Sequence, residues 1–488
     1  MVVGTTSHAG KSLLVAAICR ILVRQGWRVA PFKGQNMALN SYVTPAGGEI
    51  GYAQAVQAWA AKVAPRIEMN PILLKPQGDQ TSQVILGGRS VGTTTAADYY
   101  EQFFHPGWQV ITQSLQRLED DFDLLVCEGA GSPAEINLKH RDLTNMRVAR
   151  HLDAPTLLVV DIDRGGAFAH VVGTLELLEP QERELVRGIV INKFRGQRSI
   201  LQPGIDWLEQ RTGIPVIGVL PWIDRLFPAE DSLDLLERRS QKPNVEITIA
   251  VVRLPRISNF TDFDPLEAEP SVKVQYLGLH DALDYPDAVI IPGSKTTISD
   301  LLALQNSGLA AQIQDYAAGG GTLLGICGGF QILGESLTDP EGLEGEEGRF
   351  EGLGLLPIRT LFTGQKTTRQ RQVTSNYPQP DLPVMGYEIH NGQSQLLSQT
   401  EHCNPLFDEP QLGLVNTSQS IWGTYLHGIF DNGPWRRAWL NRLRQQRGLK
   451  SLPTGIANYR AEREVLLDQI ADTVTEHLEV TTLLSFLD

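Results

Sequence analysis

The chain has 488 residues, 42% of them hydrophobic and 20% charged, with 42 basic against 56 acidic side chains and a formal net charge of −14. That excess of acid disfavours nucleic acid and anionic membrane surfaces as main partners and favours a small-molecule substrate, while the length exceeds a single core and fits two domains. Cys19, Cys127, Cys327 and Cys403 lie far apart with no CxxC pair, so neither a zinc site nor a disulfide framework is expected and a reducing cytoplasm is; no apolar run approaches the roughly 18 to 20 residues of a membrane helix, and no signal peptide opens the chain.

Met1, Val2 and Val3 read as the end of a buried strand. Buried strands usually run to about five or six residues, so a few more are expected in front. The run Gly4-Thr5-Thr6-Ser7-His8-Ala9-Gly10-Lys11-Ser12 then reads as a phosphate-binding loop opening a helix through Leu13 to Ile18. In such a loop the backbone N–H groups face phosphate oxygens, Lys11 reaches the β/γ-phosphates of ATP, and the Ser12 hydroxyl can ligate Mg²⁺. Five residues separate Gly4 from Gly10, one more than the usual spacing, and His8 stands where an acidic residue is more common.

Strand-length apolar runs follow at Val29 to Phe32, Gln83 to Leu86, Leu124 to Cys127, Thr156 to Asp161, Gly188 to Asn192 and Val216 to Leu220, with helical patterns between most of them. Near-continuous apolar strands predict a parallel sheet covered by helices on both faces. Polar residues at their carboxyl ends are candidate ligand groups: Glu128 for Mg²⁺, Asn192 and Lys193 for the nucleotide, and the Asp161 to Gly166 turn. Lys33, Gln35, Asn36 and Asn40 after the second strand, with Asn137 after the Glu128 strand, form amide-rich surfaces suited to a substrate with carboxylate or amide arms. Glu49 is the candidate for a second Mg²⁺ carboxylate.

The charged stretch from Glu237 to Asn244 reads as a linker, placing one domain at residues 1–240 and a second α/β domain at 246–455. The second series has strands at Glu246 to Leu254, Val272 to Leu277, Ala288 to Pro292 and Thr322 to Ile326, and a Gly/Glu-rich stretch from Asp339 to Gly352 expected as an exposed loop. Residues 456–488 carry an apolar stripe at Leu466, Leu467, Ile470, Ala471, Val474 and Leu478, which predicts a closing helix docked on the body.

Gly325-Ile326-Cys327-Gly328-Gly329 has the form of a nucleophile elbow, a strand and a tight glycine-flanked turn that holds a thiol at a helix N-terminus. His427, ending the apolar run Ile421 to Leu426, is the preferred base, with His390 as a structural or substrate-facing group. The Pro292-Gly293-Ser294-Lys295 turn supplies backbone donors for an oxyanion, with Gly293 at the substrate and the N–H after Cys327 as the second donor.

These motifs carry a resemblance. The first half, with Thr5 and Thr6 where partition ATPases carry an extra lysine, resembles the dethiobiotin synthetase branch of variant-loop enzymes. The second is similar to class I glutamine amidotransferase domains, flavodoxin-like in fold, which release ammonia from L-glutamine through a cysteine–histidine pair. Many of those carry a glutamate two residues after the histidine, where this chain has Ile429. Losing an orienting carboxylate can cost about 10⁴ in rate, and Asp431 and Glu388 are unranked substitutes. As a whole the chain resembles the cobyric acid synthase family, on the strings Pro31 to Thr44, Gly48 to Gly51, Met69 to Pro76, Glu128 to Leu138, Asp161 to Gly166, Asn192 to Gly196 and the Cys327 and His427 motifs. The resemblance implies amidation of the b, d, e and g carboxylates of adenosylcobyrinic acid a,c-diamide with glutamine, ATP and Mg²⁺. Cobyrinic acid a,c-diamide synthase, CTP synthase and a partition-like ATPase fused to an inactive binding domain are the alternatives.

Overall fold

The alternation inside the apolar strands shows how the first half is layered. In the strand Thr156–Asp161, Leu157 and Val159 enter the core that contains the helix Lys11–Arg24, while Leu158 and Val160 enter a second core on the other face. Burial on both faces is why these strands read as unbroken apolar runs. The computed structural model describes residues 1–78, 80–223, 242–397 and 402–486. Glu237 to Gln241 of the expected linker, and the boundary at residue 240, lie outside the described residues.

Six parallel strands lie side by side in the order Val29–Phe32, Leu124–Cys127, Val2–Gly4, Thr156–Asp161, Val186–Phe194 and Val216–Pro221, with a bridge from Val2 to Glu128 joining the first pair to the rest. Chain order reverses at Val2–Gly4, so the glycine loop opens at the switch point, where ligands of such sheets bind. The C-terminal helix Tyr459–His477 completes this half rather than the one that precedes it in sequence. Leu467, Ile470, Ala471, Val474 and Leu478 share a core with Val15, Ile18 and Ile217. Around that seam Arg20 meets Glu464 at 2.8 Å, and Arg24 meets Asp468 and Asp472 at 2.8 and 2.5 Å.

In the second half five parallel strands run in the spatial order Val272–Leu277, Ile247–Val252, Ala288–Ile291, Thr322–Ile326 and Ile421–Thr424, extended by the antiparallel Gly413–Asn416 and Cys403–Pro405. Numbered along the chain, the parallel strands read 2-1-3-4-5, the flavodoxin-like order. Among the described residues no helix is long and apolar enough to cross a membrane.

Three expectations change. The Gln83 to Leu86 run is part of Thr81–Leu86, which pairs antiparallel with Ile72–Pro76 and Arg89–Thr95 in a separate four-stranded sheet. Its apolar residues Val84 and Ile85 look alike in sequence, yet they enter two different small cores. The Asp339 to Gly352 segment is not simply an exposed loop: Gly348–Glu351 pairs with Ser336–Asp339, and Glu344 is buried where Thr297 and Asn391 donate to its carboxylate. Asn36, in the short strand Gln35–Met37 and bonded to Gln54 of the helix Tyr52–Ala60, and Asn40, just before the strand Ser41–Val43, are buried rather than on a surface. A long hairpin, Ile358–Ser375 with Leu382–Leu396, reaches across to the first half, where Gln370 donates to the Tyr42 hydroxyl and the Val43 carbonyl, both at 2.8 Å.

Candidate functional site

Gly4 ends its strand and Gly10 starts the helix Lys11–Arg24 with φ 95°, a left-handed conformation that favours glycine. A Cβ at Gly10 would stand 2.0 Å from the Asn192 amide nitrogen. That amide donates to the Ala9 carbonyl at 2.8 Å and its oxygen accepts from the Lys193 N–H at 2.8 Å. Asn192, expected at a purine edge, therefore braces the loop itself. Lys193 pairs with Asp161 at 2.9 Å. Lys11 lies inside the loop and donates to the carbonyls of Thr6 and Gly131 at 3.0 and 3.1 Å. Among the described residues, the buried Thr5 hydroxyl and Asn145 side-chain oxygen have no hydrogen-bond partner. His8 is exposed at φ 58°.

Glu128, at the end of the neighbouring strand, gathers the rest. Its carboxylate accepts from Ser12 Oγ at 2.8 Å, Lys33 Nζ at 2.9 Å and Gln57 Nε2 at 2.5 Å. The structure thus brings together Ser12 and Glu128, expected at Mg²⁺, and Lys33, expected at the substrate, and Gln57 joins them without having been singled out from sequence. Asn36 donates to Gln54 at 3.0 Å on the same helix as Gln57, and Gln35 accepts from the Tyr99 hydroxyl at 2.6 Å. Asn137 is exposed on its loop.

Glu49, expected as a second Mg²⁺ carboxylate, is engaged elsewhere. It lies between Lys75 at 2.8 Å and Lys366 at 2.5 Å, one from each half, with both carboxylate oxygens committed to ammonium groups that hold its pKa far below the usual carboxylate range despite burial. A carboxylate neutralised in this way is an interdomain tie rather than a metal ligand. Among the described residues no cluster of three His, Cys, Asp or Glu side chains forms a metal site.

In the second half, Cys327 holds φ 53° and ψ −109° between the strand Thr322–Ile326 and the helix Gly328–Ile332. Such a strained backbone is typical of a nucleophile elbow. Gly329 permits the turn, since a Cβ there would come within 1.9 Å of the Ile291 carbonyl oxygen. Cys327 and His427 are 5% and 1% exposed; the Cys327 thiol donates to the Ile389 carbonyl at 3.5 Å, and the sulfur favours the charged form of the imidazole. Gly293 lies in the strand Gly293–Ser294, where an added Cβ would be 3.2 Å from His427 Cε1.

The orienting carboxylate is neither Asp431 nor Glu388. His427 Nδ1 lies 2.7 Å from Asp262 Oδ2, and Asp262 Oδ1 accepts the Gly428 N–H at 2.9 Å. Burial disfavours charge on the ring, but Asp262 and the Cys327 sulfur together raise its pKa from 6.5 to about 10. Asp431 instead faces Arg463 at 3.6 Å, with burial raising its pKa to about 6. Glu388 holds Arg369 and Arg371; despite burial, His390 and these arginines bring its pKa down to about 2. His390 contacts Glu388 at 3.2 Å and the Gly392 carbonyl at 2.7 Å, and stacks on Tyr425 with ring centroids 3.9 Å apart. Asp262 sits in the short helix Phe260–Phe263 after the first strand of its sheet. In sequence only its place in an acidic cluster, Asp262, Asp264 and Glu267, set it apart.

Comparison with known proteins follows the same division. Residues 1–235 match the CobQ/CobB/MinD/ParA nucleotide binding domain, and residues 248–435 match the CobB/CobQ-like glutamine amidotransferase domain. Over 486 residues the chain is 71% identical to a cobyric acid synthase of Trichormus variabilis, covering 99% of each. Over 490 residues it is 71% identical to one of Nostoc punctiforme, covering 99% of each. Over 487 residues it is 68% identical to one of Synechococcus elongatus, covering 100% of this chain and 99% of the relative. A phosphate-loop half and an amidotransferase half with a Cys–His–Asp constellation, matched end to end by these relatives, place the chain in the cobyric acid synthase family of glutamine-dependent amide ligases.

Proposed function

We propose that the chain converts adenosylcobyrinic acid a,c-diamide to adenosylcobyric acid by amidating the b, d, e and g side-chain carboxylates, using ATP and L-glutamine. The observation that supports this reading is the presence in one chain of two side-chain groupings, Lys11, Ser12, Glu128 and Lys33 around the glycine loop, and Cys327, His427 and Asp262 at the elbow. An ionised carboxylate is a poor electrophile. Transfer of the γ-phosphoryl group makes it an acyl phosphate, releasing ADP. Ammonia then attacks the acyl carbon and inorganic phosphate leaves, giving the amide.

Lys11 and the loop N–H groups bind and orient the triphosphate, and Lys33 places positive charge beside the carboxylate to be activated. The donors at Ser12 and Glu128 are hard oxygens and fit Mg²⁺, and the buried, unpartnered Thr5 hydroxyl fits a polar ligand in the loop. When bound there, Mg²⁺ would neutralise phosphate charge. In the second centre His427 takes the thiol proton, the thiolate of Cys327 attacks the glutamine amide, and the imidazolium returns a proton to the departing ammonia. Water hydrolyses the thioester to glutamate. The net charge of −14 and the free cysteines favour a cytoplasmic protein without a nucleic-acid partner.

The test is to incubate the purified chain with the a,c-diamide, ATP, Mg²⁺ and glutamine and follow product mass. Four successive additions of one amide are expected. No change of mass, or turnover only of the corrinoid that lacks the a and c amides, would refute the assignment.

A further inference from the structure

A small cavity beside Cys327 is lined by Lys295, Glu344, Gln331, Asn391, Lys366 and, from the first half, Lys75. Lys75 donates to Ser41 Oγ and Glu49 at 2.9 and 2.8 Å, and Lys366 to Glu49 at 2.5 Å, so both of these ammonium groups already hold a direct carboxylate partner, which they share. Lys295 differs. It is 6% exposed, its backbone N–H donates to the Arg256 carbonyl, and among the described residues its ammonium forms no ion pair within 4.0 Å, the carboxylates of Glu344 and Glu49 attracting it from further away. Burying an unpaired ammonium is costly. The hydroxyl of the next side chain, Thr296, is buried and has no hydrogen-bond partner among the described residues.

The negative charge available in the same cavity is fixed in place. Glu344 accepts from the Thr297 N–H at 3.1 Å and from Asn391 Nδ2 at 2.6 Å, which orients its carboxylate. The cavity therefore presents an unsatisfied cation and an anchored anion next to the nucleophile. That pattern matches a zwitterion whose reactive group sits at the far end of a short chain. With its amide carbon at Cys327, glutamine has an α-carboxylate and an α-ammonium to place.

We propose that Lys295 binds the α-carboxylate of glutamine and Glu344 its α-ammonium, which makes Lys295 the residue that selects glutamine over side-chain amides lacking that carboxylate. This rests on the reading of Cys327 as the glutaminase nucleophile. Lys295 leaves no bond formed or broken in the reaction; it sets affinity for the substrate.

The experiment measures ammonia release by the full chain from L-glutamine and from L-glutaminamide, in which the α-carboxylate is an uncharged amide. Wild type should prefer glutamine in kcat/KM by about 10- to 100-fold, the size of a lost charge-assisted contact. Lys295→Met should raise the glutamine KM by a similar factor, change kcat much less, and bring the two substrates close to parity. Lys295→Arg should restore part of the preference. A loss of kcat with KM unmoved would mean that Lys295 acts on the thiol, and an equal loss for both substrates would mean that it is structural; either result overturns the proposal. Should Lys295→Met fail to fold, the wild-type comparison still decides, because absence of any preference for glutamine refutes the proposal. A wild-type chain that releases no ammonia from glutamine refutes the glutaminase reading itself, and this inference with it.

Discussion

Asp262→Asn removes one charge from a buried pair while keeping the shape of the side chain. The carboxylate lies 2.7 Å from His427 Nδ1, with the histidine and aspartate side chains 1% and 3% exposed. The lift of the His427 pKa from 6.5 to about 10 is worth roughly 5 kcal/mol at about 1.4 kcal/mol per tenfold, divided between Asp262 and the sulfur. An amide in place of the carboxylate no longer stabilises the imidazolium and can hold the wrong tautomer, a change that costs about 10⁴ in serine proteases. Glutamine-dependent amidation should fall by about 10³ to 10⁴, whereas turnover supplied with ammonium chloride should persist. Initial rates with the two nitrogen sources on one preparation provide the assay. Glutamine-dependent turnover within tenfold of wild type, or equal losses with both sources, would refute the role given to Asp262. Stability carries a second signature. Because the folded state raises the pKa of His427, the stabilisation is complete below pH 6.5 and disappears as pH rises through about 10. The gap in thermal midpoint between wild type and Asp262→Asn should therefore narrow across that interval.

Cys327→Ser should abolish amidation from glutamine and retain it from ammonia; comparing the same two nitrogen sources checks this, and loss of both would break the division of labour between the halves. Lys11→Ala should lower ATP-dependent turnover by about 10- to 100-fold whichever nitrogen source is supplied, since it removes a charged contact to phosphate; ADP release is the readout. Ile470→Ala should destabilise the protein by about 2 to 5 kcal/mol, because Ile470 is fully buried in the core beneath the glycine-loop helix. Denaturant unfolding monitored with and without ATP measures that loss, and an unchanged midpoint would mean that the C-terminal helix is not part of this core.

The strands that carry chemistry were legible because they are short apolar runs ending in a polar residue. Leu124–Cys127, Thr156–Asp161 and Thr322–Ile326 have the bounds their composition suggests. The antiparallel Thr81–Leu86 was assigned to the wrong sheet, because an apolar run does not reveal which strand will pair with it. Glu344 was hidden for a related reason: a Gly/Glu-rich stretch looks solvated, and only packing against Thr297 and Asn391 makes one of its glutamates internal.

Local order along the chain determined the loop from Gly4 to Ser12, the elbow at Cys327 and the two-part α/β architecture, since each depends on residues within a few positions of one another. Tertiary structure alone decided which carboxylate serves His427 and which role falls to Glu49. Asp262 is 165 residues from its histidine, and Glu49 is 317 residues from Lys366. A charge acts through space on whatever folding brings within a few ångströms. Spacing in the sequence carries no record of that distance once the partners lie on different strands or different domains.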